Sequence, residues 1–226
     1  MAVNVTSSTR DTKELNPLVQ ILLNAALLDA KKNGVNPLIV ETFRPQERQY
    51  YLYGQGRTVY QCTNAGMPKK YAEKYARKGT QVTWTLKSIH TKRCAVDVVP
   101  QRKQKNGVLT AIWNASDKDT IQLIKSMEKY GFEAGANWHS SPDSPHFQVD
   151  GVDPNGKYFK SSNTNKYITT LIQKALKKAG YYNGYAIDGK WGKATSNAIK
   201  KFKVVFGMKN NDLVGEKTLK NLLKYV

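Results

Sequence analysis

His90 and Asp97 stand seven residues apart in Ser88-Ile89-His90-Thr91-Lys92-Arg93-Cys94-Ala95-Val96-Asp97, and Asp143 precedes His146 by three in Asp143-Ser144-Pro145-His146-Phe147-Gln148. An imidazole offers a nitrogen lone pair and a carboxylate an anionic oxygen. These are the donors that hold Zn2+ in catalytic sites, where three protein ligands leave a fourth position for water. His90, Asp97 and His146 would make the three, and Asp143 would remain as a base. A lone His–Asp pair has a plainer reading, in which His90 is a hydrogen-bonded loop residue and Asp97 caps a turn. Two paired constellations in a chain with only three histidines, the third being His139, weigh toward a metal.

Such side chains need elements that hold them still. Asn16-Pro17 has the form of a helix start, and Leu18, Ile21, Leu22, Ala25 and Leu28 recur at helical spacing up to Gly34. Residues 37–43 read as a buried strand with Arg44 at its end, and Pro45 opens a second helix over 46–55. Residues 69–78, rich in Lys and Tyr, suggest a short solvated helix within a longer loop. Gln81-Val82-Thr83-Trp84-Thr85 alternates like a strand. Ala95 to Val99 predicts another, with Asp97 on one face and Val96 and Val98 on the other. Ser116 is placed to cap a helix carrying Ile121, Ile124, Met127 and Tyr130 on one side and closing at Gly131. Phe147 to Val149 reads as a final strand. The fold class is therefore α+β, a small mixed sheet with flanking helices, its chemical motifs at strand edges.

Residues 151–165 have the Gly, Pro, Ser and Asn content of a linker, which divides the chain into 1–150 and 166–226. In the second part, Ile168, Leu171, Ile172, Ala175 and Leu176 make a helical stripe. Asp188-Gly189-Lys190-Trp191-Gly192-Lys193-Ala194-Thr195 leads into a helix with Ile199, Phe202 and Phe206. Asp212-Leu213-Val214-Gly215-Glu216-Lys217-Thr218 repeats that pattern ahead of Leu219 and Leu222. A small three-helix domain follows from the repeat, in which Gly suits a turn and Thr a helix start.

Of 226 residues, 40% are hydrophobic, and the net charge is +19 at pH 7. That excess implies a polyanionic partner: nucleic acid, an anionic membrane or an anionic wall polymer. Residues 151–226 hold 15 Lys, 4 acidic residues and no Arg. Lys lacks the bidentate fork that reads guanine, so no specific nucleic acid is expected. No apolar run approaches the roughly 18 residues of a membrane span, and the N-terminus has no signal-peptide pattern. Cys62 and Cys94 are expected to be free thiols.

On these motifs the chain resembles a phage endolysin of the VanY-like zinc D-Ala-D-Ala carboxypeptidase and endopeptidase family, of the L-alanyl-D-glutamate endopeptidase type, with a C-terminal type 1 peptidoglycan-binding domain. The family pattern S-x-H-x-x-G-x-A-x-D falls on Ser88, His90, Ala95 and Asp97, and its acidic residue three before a His falls on Asp143 and His146. The resemblance implies a Zn2+ site of His90, Asp97 and His146 with Asp143 as general base and Arg44 toward the scissile carbonyl. It implies substrate contacts from Gln49, Tyr53, Gln55, Arg57, Ser88 and His139, and wall contacts from Asp188, Trp191, Thr195 and Phe202. It also implies peptidoglycan and anionic wall polymers as partners of a monomer, made in the cytoplasm of an infected host and released through a holin-type pore. Arg93 stands where the family has Gly, so a left-handed backbone there would cost roughly 1–2 kcal/mol. Cys94 is expected to be a structural thiol, not a ligand.

Overall fold

The computed structural model describes residues 4–152 and 156–226. Helix α1 (Pro17–Lys32) starts where the Asn16 side chain accepts from the Leu18 N–H and Pro17 needs no donor. The helix is apolar nearly all round, so its core face is Leu18, Val19, Leu22, Leu23, Ala26 and Ala30, while Leu28 of the expected stripe is 59% exposed. Strand β1 (Asn36–Glu41) follows, then α2 (Gln46–Gly54), α3 (Val59–Asn64) and α4 (Lys69–Tyr75). Helix α3 was not foreseen; its start is a capping box between Thr58 and Gln61. Ala72 and Tyr75 are buried, so α4 packs on its neighbours and is not the solvated helix expected.

Residues 81–85 form no strand. Val82 and Trp84 point outward, at 58% and 72% exposure, and the segment's carbonyls are taken by side chains of α2 and its C-terminal loop. Alternation here marks a coil lying across helices. Strand β2 (Ala95–Lys103) is the spine of the sheet: β1 pairs along one edge, while β5 (His146–Gln148) and β3 (Leu109–Ala111) share the other. Strand β4 (Glu133–Ala134) pairs outside β5. Every strand pairing among the described residues is antiparallel, so the sheet is not mixed as expected. Helix α5 (Lys118–Lys129) is capped by Asp117 and not by Ser116. It buries Thr120, Leu123, Ser126 and Met127, which leaves Ile121 44% exposed on the outer side.

In the tail, α6 (Lys166–Lys178), α7 (Lys193–Val205) and α8 (Glu216–Leu222) are joined by a two-stranded ribbon of β6 (Tyr158–Phe159) and β7 (Val214–Gly215). Strand β6 thus lies inside the segment read as linker. One buried apolar cluster runs from Leu18 and Leu22 through Met127 and Phe132 to Ile168, Phe202 and Leu219. The Asn16 amide also donates to the Gly156 carbonyl at 3.1 Å.

Candidate metal centre

Strand register brings the chemistry together. Asp97 lies opposite His146 on one side and Glu41 on the other. Directly opposed residues of antiparallel strands share a face. All three side chains therefore leave the sheet on the same side, while Val96, Val98 and Phe147 enter the core on the other. The β1–β2 register shifts between Ile39 and Glu41. That extra residue puts Glu41 opposite Asp97 where unbroken pairing would put Val40, the re-aiming that a bulge performs.

His90 arrives from a 3-10 turn, Ile89–Lys92, whose start is capped by Ser88: its hydroxyl accepts from the His90 N–H at 3.3 Å. The turn closes at Arg93 with φ 62°, the single left-handed non-glycine among the described residues. The strain is offset by contacts that glycine would lack. The Arg93 guanidinium lies 3.8 Å from the Phe43 ring centroid and binds the Glu14 carbonyl and carboxylate.

Three donor atoms then converge. His90 Nε2 is 3.1 Å from Asp97 Oδ1 and 3.2 Å from His146 Nδ1, and His146 Nδ1 is 3.3 Å from Asp97 Oδ1. The outward nitrogens are spoken for. His90 Nδ1 lies 2.6 Å from the Thr42 carbonyl, which can only accept, so Nδ1 carries the proton. His146 Nε2 lies 3.1 Å from the Gln148 amide oxygen, whose own nitrogen donates to Glu133 and Asp150. With both rings neutral, both inner nitrogens would be bare lone pairs facing a carboxylate. Three such acceptors repel one another and call for a cation, a bound metal ion or, in its place, the proton that Asp97 draws onto His146. A triangle of that size has its centre about 1.85 Å from each corner, close to the roughly 2.0–2.2 Å of Zn–N and Zn–O bonds, so these three residues would hold such an ion. The residues fit a zinc ion.

Electrostatics around the triangle are one-sided. Burial opposes the Asp97 charge, but contacts from His146 and His90 hold its pKa far below the carboxylate range. Burial alone would lower His146; its hydrogen bond and charge interaction with Asp97 raise it instead. Arg44 stands at the edge, its Nη2 3.7 Å from Asp97 Oδ2, and its guanidinium is fixed by Glu41 and by the Gln49 amide oxygen at 2.9 Å. Buried Glu41 also binds Arg48 at 2.8 Å, and the two arginines overcome its burial to lower its pKa. Asp143 borders the same cavity, about 160 Å³, with Arg44, Thr85, Lys87, Ser88 and Trp138. Crowding by the cavity wall, then the Asp97 charge, raises the Asp143 pKa; its surface stays open to solvent, which limits that rise. Gly135 sets its backbone: a Cβ there would come within 2.6 Å of the Asp143 carbonyl oxygen.

The remaining expected contacts divide. Ser88 lines the cavity, but Gln49 is fully buried and serves Arg44 and the Thr85 carbonyl. Tyr53, Gln55 and Arg57 lie off the cavity. Arg57 stacks 3.9 Å over Tyr53 and holds the Thr83 carbonyl of the 81–85 coil, and Gln55 donates to the Tyr51 carbonyl, so none of the three lines this cavity. His139 is exposed and outside the lining, where its neighbour Trp138 sits instead. Sequence reasoning missed Glu41, Arg48, Gln148 and Lys87; a glutamate ending an apolar strand three residues before Arg44 was the available signal. In the tail, Thr195 and Phe202 are fully buried, while exposed Asp188 accepts from Gln173 and from the Lys190 N–H and so braces the turn. Trp191 is half-buried, its indole N–H donating to Ser196. Cys62 and Cys94 are free and buried. Burial, then the Asp150 charge, pushes Cys94 up to about 11, which keeps it a protonated thiol. A larger open cleft of about 620 Å³ beside Arg10, Asp11 and Glu14 gathers no converging donors.

Both parts of the chain are similar to known proteins. The family model for D-alanyl-D-alanine carboxypeptidase of the peptidase M15 group matches residues 81–149, and a peptidoglycan binding domain model matches residues 168–222. The peptidoglycan L-alanyl-D-glutamate endopeptidase CwlK of Bacillus subtilis is 27% identical over 141 residues, 60% of this chain and 74% of that protein. The L-alanyl-D-glutamate peptidase of Listeria phage A118 is 26% identical over 211 residues, 89% of this chain but only 62% of that longer protein. The solved L-Ala D-Glu endopeptidase ChiX of Serratia marcescens is 21% identical with a TM-score of 0.38, over 64% of this chain and 87% of that one. Residues 81–149 are thus similar to the peptidase M15 family and residues 168–222 to peptidoglycan-binding domains.

Proposed function

We propose that the chain is a zinc-dependent peptidoglycan endopeptidase of the endolysin type, cutting the murein stem peptide between L-Ala and D-Glu. The observation that carries this reading is the convergent triangle of His90, Asp97 and His146, set in a cavity that Asp143 and Arg44 border. The two relatives named for L-alanyl-D-glutamate cleavage support the choice of bond. When bound by the triangle, Zn2+ lowers the pKa of its water toward about 7 and polarises a carbonyl oxygen.

The chain's own residues supply the rest. Asp143 takes the proton of the attacking water and returns it to the leaving amine; its raised pKa brings it nearer the pH at which both transfers proceed. Arg44 faces the oxygen on which negative charge develops. Because Glu41 and Gln49 already fix its guanidinium, little reorganisation is needed, and losing such a contact costs about 3–4 kcal/mol in the transition state. Lys87 is a cavity cation with no ion pair among the described residues and meets the carboxylate next to the cut bond.

Residues 1–150 are proposed as the catalytic unit and 166–226 as the wall-binding unit. The 15 Lys of residues 151–226 draw the enzyme to polyanionic walls and raise its local concentration there. It acts as a monomer, reaching the wall from the host cytoplasm through a holin-type pore. Among the described residues no helix is long and apolar enough to cross a membrane. Mass spectrometry of digested peptidoglycan tests the bond: new N-terminal Glu is expected, whereas free D-Ala alone would establish a D-Ala-D-Ala carboxypeptidase, the reading that the family model's description favours.

A further inference from the structure

Gln148 belongs to none of the roles assigned so far, yet it is the residue on which the direction of His146 depends. A neutral imidazole has two tautomers, and only the one protonated at Nε2 presents Nδ1 as a lone pair to the triangle. Among the described residues, His146 Nε2 has one neighbour within hydrogen-bonding distance, the Gln148 amide at 3.1 Å. An amide is ambiguous, since its oxygen accepts and its nitrogen donates. Here the ambiguity is removed from behind. The Gln148 nitrogen lies 3.2 Å from Glu133 Oε2 and 3.0 Å from Asp150 Oδ2, both of which accept. Turning the amide over would set its oxygen against two carboxylates. Glu133 is fixed in turn by the Trp138 indole N–H at 3.1 Å, and Trp138 packs on the His146 ring with centroids 5.0 Å apart.

We infer that Gln148 is a positioning residue for the metal centre: Glu133 and Asp150 lock its amide so that its oxygen holds the Nε2 proton of His146 and leaves Nδ1 bare for the ion. The arrangement differs from that at His90, where a backbone carbonyl, which has no second orientation, does the same work. The inference rests on the zinc reading above, and its test separates the two. Outer partners of this kind contribute about 10–100-fold to metal affinity.

The experiment measures Zn2+ affinity by chelator competition for the full chain, for Gln148→Met and for Gln148→Glu, with 15N chemical shifts of the His146 ring recorded on the zinc-free proteins. Gln148→Met keeps the volume and removes the acceptor; it is expected to bind Zn2+ 10–100-fold more weakly and to lose the pure Nε2–H signature. Gln148→Glu keeps an acceptor toward His146 but sets its other oxygen against Glu133 and Asp150, so it too is expected to bind Zn2+ more weakly than the unsubstituted chain. A Gln148→Met affinity within threefold of the unsubstituted chain would overturn the inference, and so would a neutral His146 ring protonated at Nδ1 and not at Nε2 in the unsubstituted protein, whatever the folding of the variants. If the unsubstituted chain binds no Zn2+, it is the zinc reading that fails.

Discussion

The His90–Asp97–His146 cavity and the Asp188–Thr195 turn are both polar motifs that stand out in the chain, and they end in opposite conditions. In the turn, polar groups satisfy one another. The two N–H groups of the fully buried Gln173 amide are shared among acceptors on Tyr182, Asp188, Thr195 and the Lys190 carbonyl, all 2.9–3.2 Å away, and its oxygen accepts from the Gly189 N–H. In the cavity, outer partners take up the protons and leave three acceptors pointing at one another. Buried polar groups ordinarily find partners. A motif that closes on itself is therefore scaffold, and one that stays open toward a cavity is built for something that comes from outside.

That contrast can be broken or sharpened by substitution. The largest effect is expected for Asp143→Ala, which should retain zinc and fold and lower turnover of peptidoglycan by about 10²–10⁴; turbidity clearance with metal analysis reads both, and full activity would remove Asp143 from the reaction. Glu41→Ala strips buried Arg44 and Arg48 of their shared partner. It should cost about 3–5 kcal/mol in denaturant unfolding. Gln173→Ala should cost less, about 1–3 kcal/mol from the groups it leaves unpaired, and should spare hydrolysis of a soluble stem peptide, since it acts only in the tail. Acid titration offers a subtler check. The folded pKa of Glu41 is depressed, so its contribution to stability is complete above its ordinary value of 4.5 and is lost as pH falls below that. The unfolding free energy of Glu41→Gln should accordingly vary less with pH in that acid range. The smallest effect belongs to exposed Lys87: Lys87→Ala should raise KM only a few-fold, as befits an exposed ion pair worth about 0.2–1 kcal/mol.

The ligand set was legible because each donor sits in a short local pattern, and its assembly follows from a pairing register that puts Asp97 between Glu41 and His146. The conformation at Arg93 was legible too, since a turn that must reverse there has φ 62° whatever residue occupies it. Much of the rest depends on distant partners. Residues 81–85 alternate as a strand does, yet no strand edge is beside them, so their carbonyls bind Gln49 and Arg57. Motif residues such as Thr195 and Gln49 look like contacts in one dimension and prove fully buried in three. The tail illustrates a further limit. Its β7 pairs with β6 from the segment read as linker, and its Leu219 shares a core with α1, facts that composition cannot carry.

The account rests most directly on the ion that the triangle is built to hold. Metal analysis of the purified full chain beside His146→Ala addresses it in one measurement. One zinc per chain, lost on substitution while the protein remains folded by circular dichroism, is the predicted result. A chain that cleaves peptidoglycan without metal, or a His146→Ala variant that keeps its zinc, would contradict it.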